Sequence, residues 1–468
     1  MAAQNLTEGS IPALIVRLGL PTLGAFVLQS SYQLADLYWV GRLGGAAIAA
    51  LSIAVNTFFV TLCLGMVVGV GALALISQAT GRGERAAVPG LFQQALWLGL
   101  AFGLALFAAG VLWARPFLAA FSADPAVVAL GVPFFRIHAA TLFGHVLGIM
   151  LSMCFRAVGD FVTPTLLLAL GVLLNLVLDP LLIFGLGPFP ALGLNGAAWA
   201  TLFAQAVSIV VTLWLVARPG SPLGLRRPWR LQWRAQARML RIGIPSGLQF
   251  ALFAATLMIT FRFVRPFGAE ATAAVGVGFR IIETAIYPAV SVGAAVSSIV
   301  GQNFGARRLW RVRRAILWGS AFGAVLGTAE FALLLAAPAF WFSLFTADPA
   351  VQAIGVQYLS IVGLVLILVG PVIPAEHVGM GLGRTLLPLA AQGVRMAALL
   401  GALALLVGAW DWGLPGVFWS RALSILPESA LLVGIVAYWW LTVLRDPPRA
   451  MPASLPADGA EAPAAESA

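Results

Sequence analysis

No lysine occurs anywhere in the 468 residues; all 27 Lys+Arg positions are arginine. Charged residues of both signs make up only 9% of the chain, against about 25% in a soluble domain. With 61% hydrophobic residues and a mean hydropathy of +0.98, a soluble globular enzyme is excluded, and a polytopic membrane protein is implied. There are two cysteines, Cys63 and Cys154, both inside apolar runs without paired spacing, so neither a disulfide framework nor a cysteine metal site is expected. No GxxxxGK[ST], HExxH or CxxC motif is present, which removes a P-loop nucleotide site and the common zinc and dithiol chemistries. The first ten residues carry Glu8 and no positive charge, unlike a cleavable signal peptide. No cofactor and no metal site is expected.

Apolar runs long enough to span need about 20 residues. Twelve are present, near 11–39, 46–73, 87–112, 126–152, 162–186, 195–217, 241–262, 273–300, 313–337, 352–380, 388–410 and 416–441. Between the sixth and seventh lies an arginine-rich stretch from Arg218, including Arg226, Arg227, Arg230, Arg234 and Arg238; Trp229 and Trp233 suggest an interfacial helix in it. The arginines sit between apolar runs, so they indicate topology and not a nucleic-acid surface. Arg82, Arg85, Arg156, Arg307 to Arg314 and Arg384 fall on the linker side, whereas the other side has Arg42, Arg115 and Arg265 diluted by Asp124, Glu270, Asp348 and Asp411. The positive-inside rule then puts the linker and both termini in the cytoplasm. The expected division is an N-lobe at 1–217, a linker at 218–240, a C-lobe at 241–444 and a disordered tail at 445–468.

The two halves repeat. RLGLP at Arg17 returns as RIGIP at Arg241, ISQATGRGERAAV around Gln78 as IVGQNFGARRLWRV around Gln302, and FSADPAV around Asp124 as FTADPAV around Asp348, each displaced by 224 residues. Beyond Pro164 the register slips, so that LNGAAWA at Leu194 meets LPGVFWS at Leu414. Six spans per half insert with the same orientation, giving an all-α fold of two six-helix lobes related by a pseudo-twofold along the membrane normal, with a cavity between them.

Polar residues inside the spans mark candidate sites, because an ionisable group there costs about 2.5–3.5 kcal/mol on insertion scales. Gln29, Gln33 and Asp36 fall on one helical face of the first span, and their repeat counterparts are Phe253, Leu257 and Thr260, so the fold itself does not demand the carboxylate. Asn175 and Asp179 are i, i+4 on the fifth span, just before Pro180, which deletes a backbone hydrogen bond and frees a carbonyl near Leu176. Thr201 lies early on the sixth. These groups fall at similar depth in the outer half, and two carboxylates in one dry pocket suit uptake and release of a proton. The structural alternative is that Asp179 caps a weakened helix. In the C-terminal half, Arg280 and Glu283 are i, i+3 and could simply neutralise one another; Glu376 lies near the inner end of the tenth span, with Glu330 and Glu428 in the ninth and twelfth.

Twelve spans in two parallel halves, the basic linker, and VGQNFGARR following RIIETAIYP resemble the multidrug and toxin extrusion (MATE) transporters, from about Arg17 to Leu441. The resemblance implies a V-shaped pair of lobes and antiport of cationic or amphipathic organic compounds against protons or sodium. An acid in the first span and the Asn/Asp pair in the fifth look like the DinF-type branch, whose cation-site pattern Asp36, Asn175, Asp179 and Thr201 match; Gln29 and Gln33 are then cavity candidates, as are the C-lobe charges Arg280, Glu283 and Glu376. The acids of the NorM-type C-lobe sodium site are missing near Phe253 and Pro371, which favours protons. A lipid-carrier flippase and a sodium-coupled antiporter remain as alternatives. The resemblance implies a monomer in a bacterial or archaeal plasma membrane, with small organic substrates and lipid as its partners. A cysteine introduced beside Asp124 should react with an impermeant thiol reagent on intact cells, and one placed at Gln232 should resist it; the opposite pattern would invert the topology.

Overall fold

The computed structural model describes residues 4–225 and 229–445, and among them every regular element is helical. Twelve helices are long and apolar enough to cross a membrane. They are α1 (Ile11–Gly41), α2 (Gly45–Gly81), α3 (Val88–Leu112), α4 (Pro125–Ala157), α5 (Val162–Phe184) and α6 (Leu194–Ala217) in one lobe. The other lobe holds α7 (Trp233–Phe267), α8 (Ala269–Gly305), α9 (Leu309–Ala336), α10 (Val365–Leu382), α11 (Leu386–Ala409) and α12 (Gly413–Thr442). Both chain ends emerge on the same face, here called the near face.

Three boundaries differ from expectation. The interfacial helix expected around Trp229 and Trp233 is not separate: Trp233 starts α7 itself, which runs unbroken through Arg241 and Pro245. The tenth run is divided at Gly363 and Leu364 into Pro349–Val362 and α10. The second is interrupted at Asn56. Arg226 and Arg227 lie outside the described residues, as does the tail expected beyond Arg445.

The repeat is visible in atomic detail. Asp124 caps α4 by accepting from Ala126 N at 2.8 Å, and Asp348 caps the helix before α10 by accepting from Ala350 N at 2.9 Å. In each, the residue two before the aspartate, Ser122 or Thr346, accepts from its backbone N–H at 3.2 Å. An Asx cap followed by proline at the first helical position is a strong start signal, which is why FSADPAV and FTADPAV mark corresponding corners. The connection from α5 to α6 runs 185–193 while that from α11 to α12 runs only 410–412, so the register slip falls in this loop.

Helices α2 and α8 form the centre; 67% of each one's most apolar window is buried, whereas the outer helix α5 is 17% buried. Both central helices are rich in glycine, alanine and serine, which lets backbones approach closely in an apolar solvent. At the near face the approach is reciprocal. A side chain at Gly81 would collide with the Gln302 backbone carbonyl, and one at Gly305 with that of Gln78. The same two glutamines reach across the lobes: Gln78 Nε2 donates to Gly381 O and Gln302 Nε2 to Ala157 O, both at 3.0 Å. Each of these positions is the repeat counterpart of another in the set.

The segment preceding α1 is fastened over this crossing. Leu6 is fully buried; its N–H donates to Gln302 Oε1 and its carbonyl accepts from Asn303 Nδ2, both at 3.0 Å. Arg311, 5% exposed, donates to the carbonyls of Glu8 and Gly9 at 2.9 Å.

Overpacking at a tight contact costs about 1–3 kcal/mol, and more where backbone must move. Gly81→Val and Gly305→Val should each lower the melting temperature in detergent by several degrees or abolish insertion. Gly148→Ala, where a methyl meets nothing within 4 Å, should leave it unchanged.

Candidate functional site

The buried residues of α5 are Asn175, Asp179 and Ile183, a single stripe at i, i+4 and i+8. Most other residues of α5 are apolar and half-buried or exposed, and the helix packs against α1 and α6, with Thr165 Oγ1 also donating to Pro21 O of α1 at 3.0 Å. The helix continues through Pro180. Asp179 is fully buried and Asn175 is 2% exposed. With the Asn175 amide oriented so that its partners are satisfied, its nitrogen donates to Asp179 Oδ2 at 2.7 Å. Its oxygen then accepts from Thr201 N at 3.2 Å and lies 3.1 Å from Thr201 Oγ1. The Tyr32 hydroxyl also lies 3.1 Å from Thr201 Oγ1.

Asp36 is one turn beyond Tyr32 on α1. Its Oδ1 is covered and has no hydrogen-bond partner, and its charge bears on both Tyr32 and Asp179. The ion pairs among the described residues are Arg82–Glu84, Arg280–Glu283 and Arg395–Glu428. Neither aspartate has a basic partner. A chamber with two carboxylates, one fully buried and one half-buried, an amide, a hydroxyl and a phenol has the chemistry to accept a cation, because neutral dipoles do not cancel a buried negative charge.

The structure therefore brings Asp36, Asn175, Asp179 and Thr201 together, and adds Tyr32. The tyrosine had a legible signal, its i−4 spacing from Asp36. Gln33 does not join this group. It accepts from Arg280 Nη2 at 2.8 Å, across the lobe boundary, and Arg280 in turn contacts Glu283 at 3.4 Å. Phe26 stacks on Tyr287 with centroids 4.7 Å apart, and Ser30 hydrogen-bonds Tyr287, so this part of α1 is zipped to α8. Gln29 makes no hydrogen bond among the described residues. The shared face expected for Gln29, Gln33 and Asp36 is thus split, because α1 lies at the junction of two neighbours. Glu376 stands apart from all of these, near the buried Arg395–Glu428 pair, and Glu330 is isolated with an unpartnered Oε1. His138 and His145 are satisfied locally by Thr141 and Gln205.

A family profile described as MatE matches residues 21–181 and 245–404, one block in each lobe. The chain belongs to the MatE family. It is accordingly a multi-pass membrane transporter and not an enzyme. Among relatives of MatE type, a "Probable multidrug resistance protein NorM" of Pseudomonas putida is 30% identical, with 73% of this chain and 74% of that protein aligned. A Shewanella oneidensis protein named "FAD transporter" is 27% identical over 95% of this chain and 98% of its own. The solved structure of a MOP superfamily transporter from Pyrococcus furiosus superposes with a TM-score of 0.86 at 23% identity, covering 95% of this chain and 98% of that one. At that identity the likeness concerns the fold.

The Arg395–Glu428 pair offers a clean measurement. Glu428 is 1% exposed and the pair closes at 3.1 Å. Removing one partner of a buried pair costs about 3–5 kcal/mol, whereas replacing both by apolar groups is often neutral. Glu428→Leu should therefore melt well below the wild type, and adding Arg395→Met to it should recover most of the loss.

Proposed function

We propose that this protein is a secondary active exporter of amphipathic or cationic organic compounds, driven by antiport against protons, of the DinF-like branch of its family. The observation that carries this is the Asp36–Asp179 chamber: a fully buried carboxylate and a half-buried one, close enough for their charges to interact, with no basic partner among the described residues. Their charge calls for a mobile cation, and a site whose net charge changes on loading can bias two conformations of the lobe that holds it. Asp36, Asp179, Asn175 and Thr201 form the coupling site in the N-lobe, and Tyr32 completes it. Sodium is the alternative coupling ion, since the same five groups present the oxygen ligands a hard cation takes.

In this scheme residues 1–217 move as the responding lobe, 241–444 form the second, 218–240 link them, and the tail follows from 445. The near face is cytoplasmic, where the arginines concentrate, and the membrane is the bacterial or archaeal plasma membrane. A proton entering from outside neutralises the chamber, α1 shifts against α5 and α6, and the zip between α1 and α8 at Gln33–Arg280–Glu283 opens or closes the cleft that holds substrate. No dissociable cofactor takes part, and the unit of transport is the monomer. Apolar and aromatic walls supply broad selectivity. Multidrug resistance in the names of relatives supports this substrate class. The nearly full-length match to a protein named for FAD favours a second reading, export of a flavin dinucleotide, in which Arg280 would receive phosphate.

Asp36→Asn should insert and fold, because it removes a costly charge at nearly constant shape. It should lose drug-dependent proton flux in liposomes by at least an order of magnitude. Asp179→Asn should do the same, and the double variant should be little worse, as expected for residues acting as one unit. Glu330→Gln should retain most transport. Proton-coupled export at wild-type rate by Asp36→Asn would sink the proposal, and a flux that follows imposed sodium but not proton gradients would reassign the ion.

A further inference from the structure

The repeat assigns a counterpart to every member of the cation chamber. Tyr32 and Asp36 correspond to Thr256 and Thr260 on α7, and Asn175 and Asp179 to Leu399 and Leu403 on α11. Beyond the slipped loop, the pairing of Leu194 with Leu414 makes Arg421 the counterpart of Thr201. All of these positions are inside the C-lobe, and α7, α11 and α12 pack on one another. Thr256 and Thr260 are 2% and 1% exposed, and Leu399 and Leu403 are fully buried. Arg421 Nη1 lies 3.4 Å from Thr260 Oγ1, the counterpart of Asp36, whereas Thr201 in the other lobe lies beside Tyr32, one turn away from Asp36.

Arg421 is buried, 7% exposed, inside the C-lobe. Its surroundings are the Thr260 hydroxyl, a hydrogen bond with the Tyr358 side chain, and the face of Phe279 at 5.7 Å; the charge of Arg395, itself paired with Glu428, also bears on it. No carboxylate pairs with it among the described residues. Hydroxyl oxygens and an aromatic face are ligands for a cation that carries its own charge. Arginine remains protonated in proteins, so this charge does not change with pH or with an ion gradient. A buried guanidinium is expensive, and Thr260 and Tyr358 would pack against a leucine or methionine without that penalty. Its presence at this position, and not elsewhere in α12, calls for an explanation.

We infer that the Arg421 guanidinium is a tethered cation that permanently fills the C-lobe counterpart of the N-lobe cation chamber, holding α7, α11 and α12 in one arrangement while the N-lobe alone responds to the coupling ion. This deepens the proposed function and rests on its placement of the coupling site. The two leucines complete the device. Where the N-lobe has an amide and an acid that need a mobile ion, the C-lobe has an apolar wall and a charge supplied by the chain. The two matching positions thus share a backbone plan, but only the one in the N-lobe is lined by carboxylates.

Guanidinium and urea have nearly the same planar shape and differ in charge, so they separate a tethered cation from a space-filling side chain. Arg421→Ala should be purified and reconstituted, and amide hydrogen exchange followed in all twelve helices. Exchange in the outer halves of α7 and α12 should rise about tenfold, and millimolar guanidinium chloride should restore protection and transport while equal urea does not. Equal rescue by urea, no change on removing Arg421, or no rescue by guanidinium would each overturn the inference. Thr260→Asp, made in the wild-type background, is an independent arm should the alanine variant not insert. A carboxylate placed beside an unpaired buried cation should raise the melting temperature, and a fall would show that the charge is already compensated. In wild type, α1, α5 and α6 should change exchange between pH 6 and pH 8 while α7, α11 and α12 do not. If the N-lobe helices also fail to respond, the coupling-site reading fails, whereas guanidinium rescue would still stand as evidence on Arg421.

Discussion

The molecule depends on the seam where α2 packs against the other lobe: α2 meets α7 backbone to backbone at Gly71 and Gly243, and crosses α8 near the face where the described chain begins and ends. Two glycines, Gly81 and Gly305, let the helices approach until each sits against the other's glutamine backbone. The glutamine side chains then span to the opposite lobe. In lipid there is no hydrophobic force to press apolar helices together, so close packing and a few hydrogen bonds must join the lobes. Because the contacts are reciprocal, the crossing resembles a pivot with equivalent halves. The cation chamber and the α1–α8 zip lie further from this face.

Symmetry of backbone and asymmetry of charge coexist. Paired caps at Asp124 and Asp348, paired glycines and paired glutamines all follow one plan. Ionisable groups do not. The N-lobe places two acids in its chamber and the C-lobe an arginine at the matching position, while Glu428 of the C-lobe is tied to Arg395. A duplicated scaffold that divides labour in this way needs only one lobe to sense an ion, and the other can serve as the fixed surface against which the first moves.

Much of this was legible in the chain. Twelve spans follow from apolar length, and the repeat was readable because its corners are built from local signals such as Asp–Pro caps. Asp36 and Asp179 stood out because a carboxylate in an apolar run has no cheap explanation. What was not legible depended on which neighbour a helix face meets. Gln33 and Asp36 lie on nearby angles of α1, yet one turns to α8 and the other to α5. Tyr32 was passed over because an aromatic residue in a membrane helix is unremarkable until its hydroxyl is seen against Thr201. Arg421 was hidden because the slipped register must be carried past the α11–α12 connection before its counterpart can be named. The start of α7 at Trp233 is not legible because arginine and tryptophan at a span's edge suggest a separate interfacial helix, although arginine is a good helix former and here extends the span.

The strap before α1 has a consequence for synthesis. Leu6, Glu8 and Gly9 are synthesised before their partners Gln302, Asn303 and Arg311, which follow some three hundred residues later, at the end of α8 and the start of α9. Until the ninth helix has been made, the buried Leu6 has nowhere to go, and the N-lobe stands in the bilayer with its leading segment unseated. Seating of that segment is therefore a late event in assembly, and it reports that the second lobe has arrived in the correct register. A peptide fused directly ahead of Gln4 would be carried to the rim of this seam, so the length and bulk of an N-terminal extension bear on biogenesis in a way that the same extension after α12 would not.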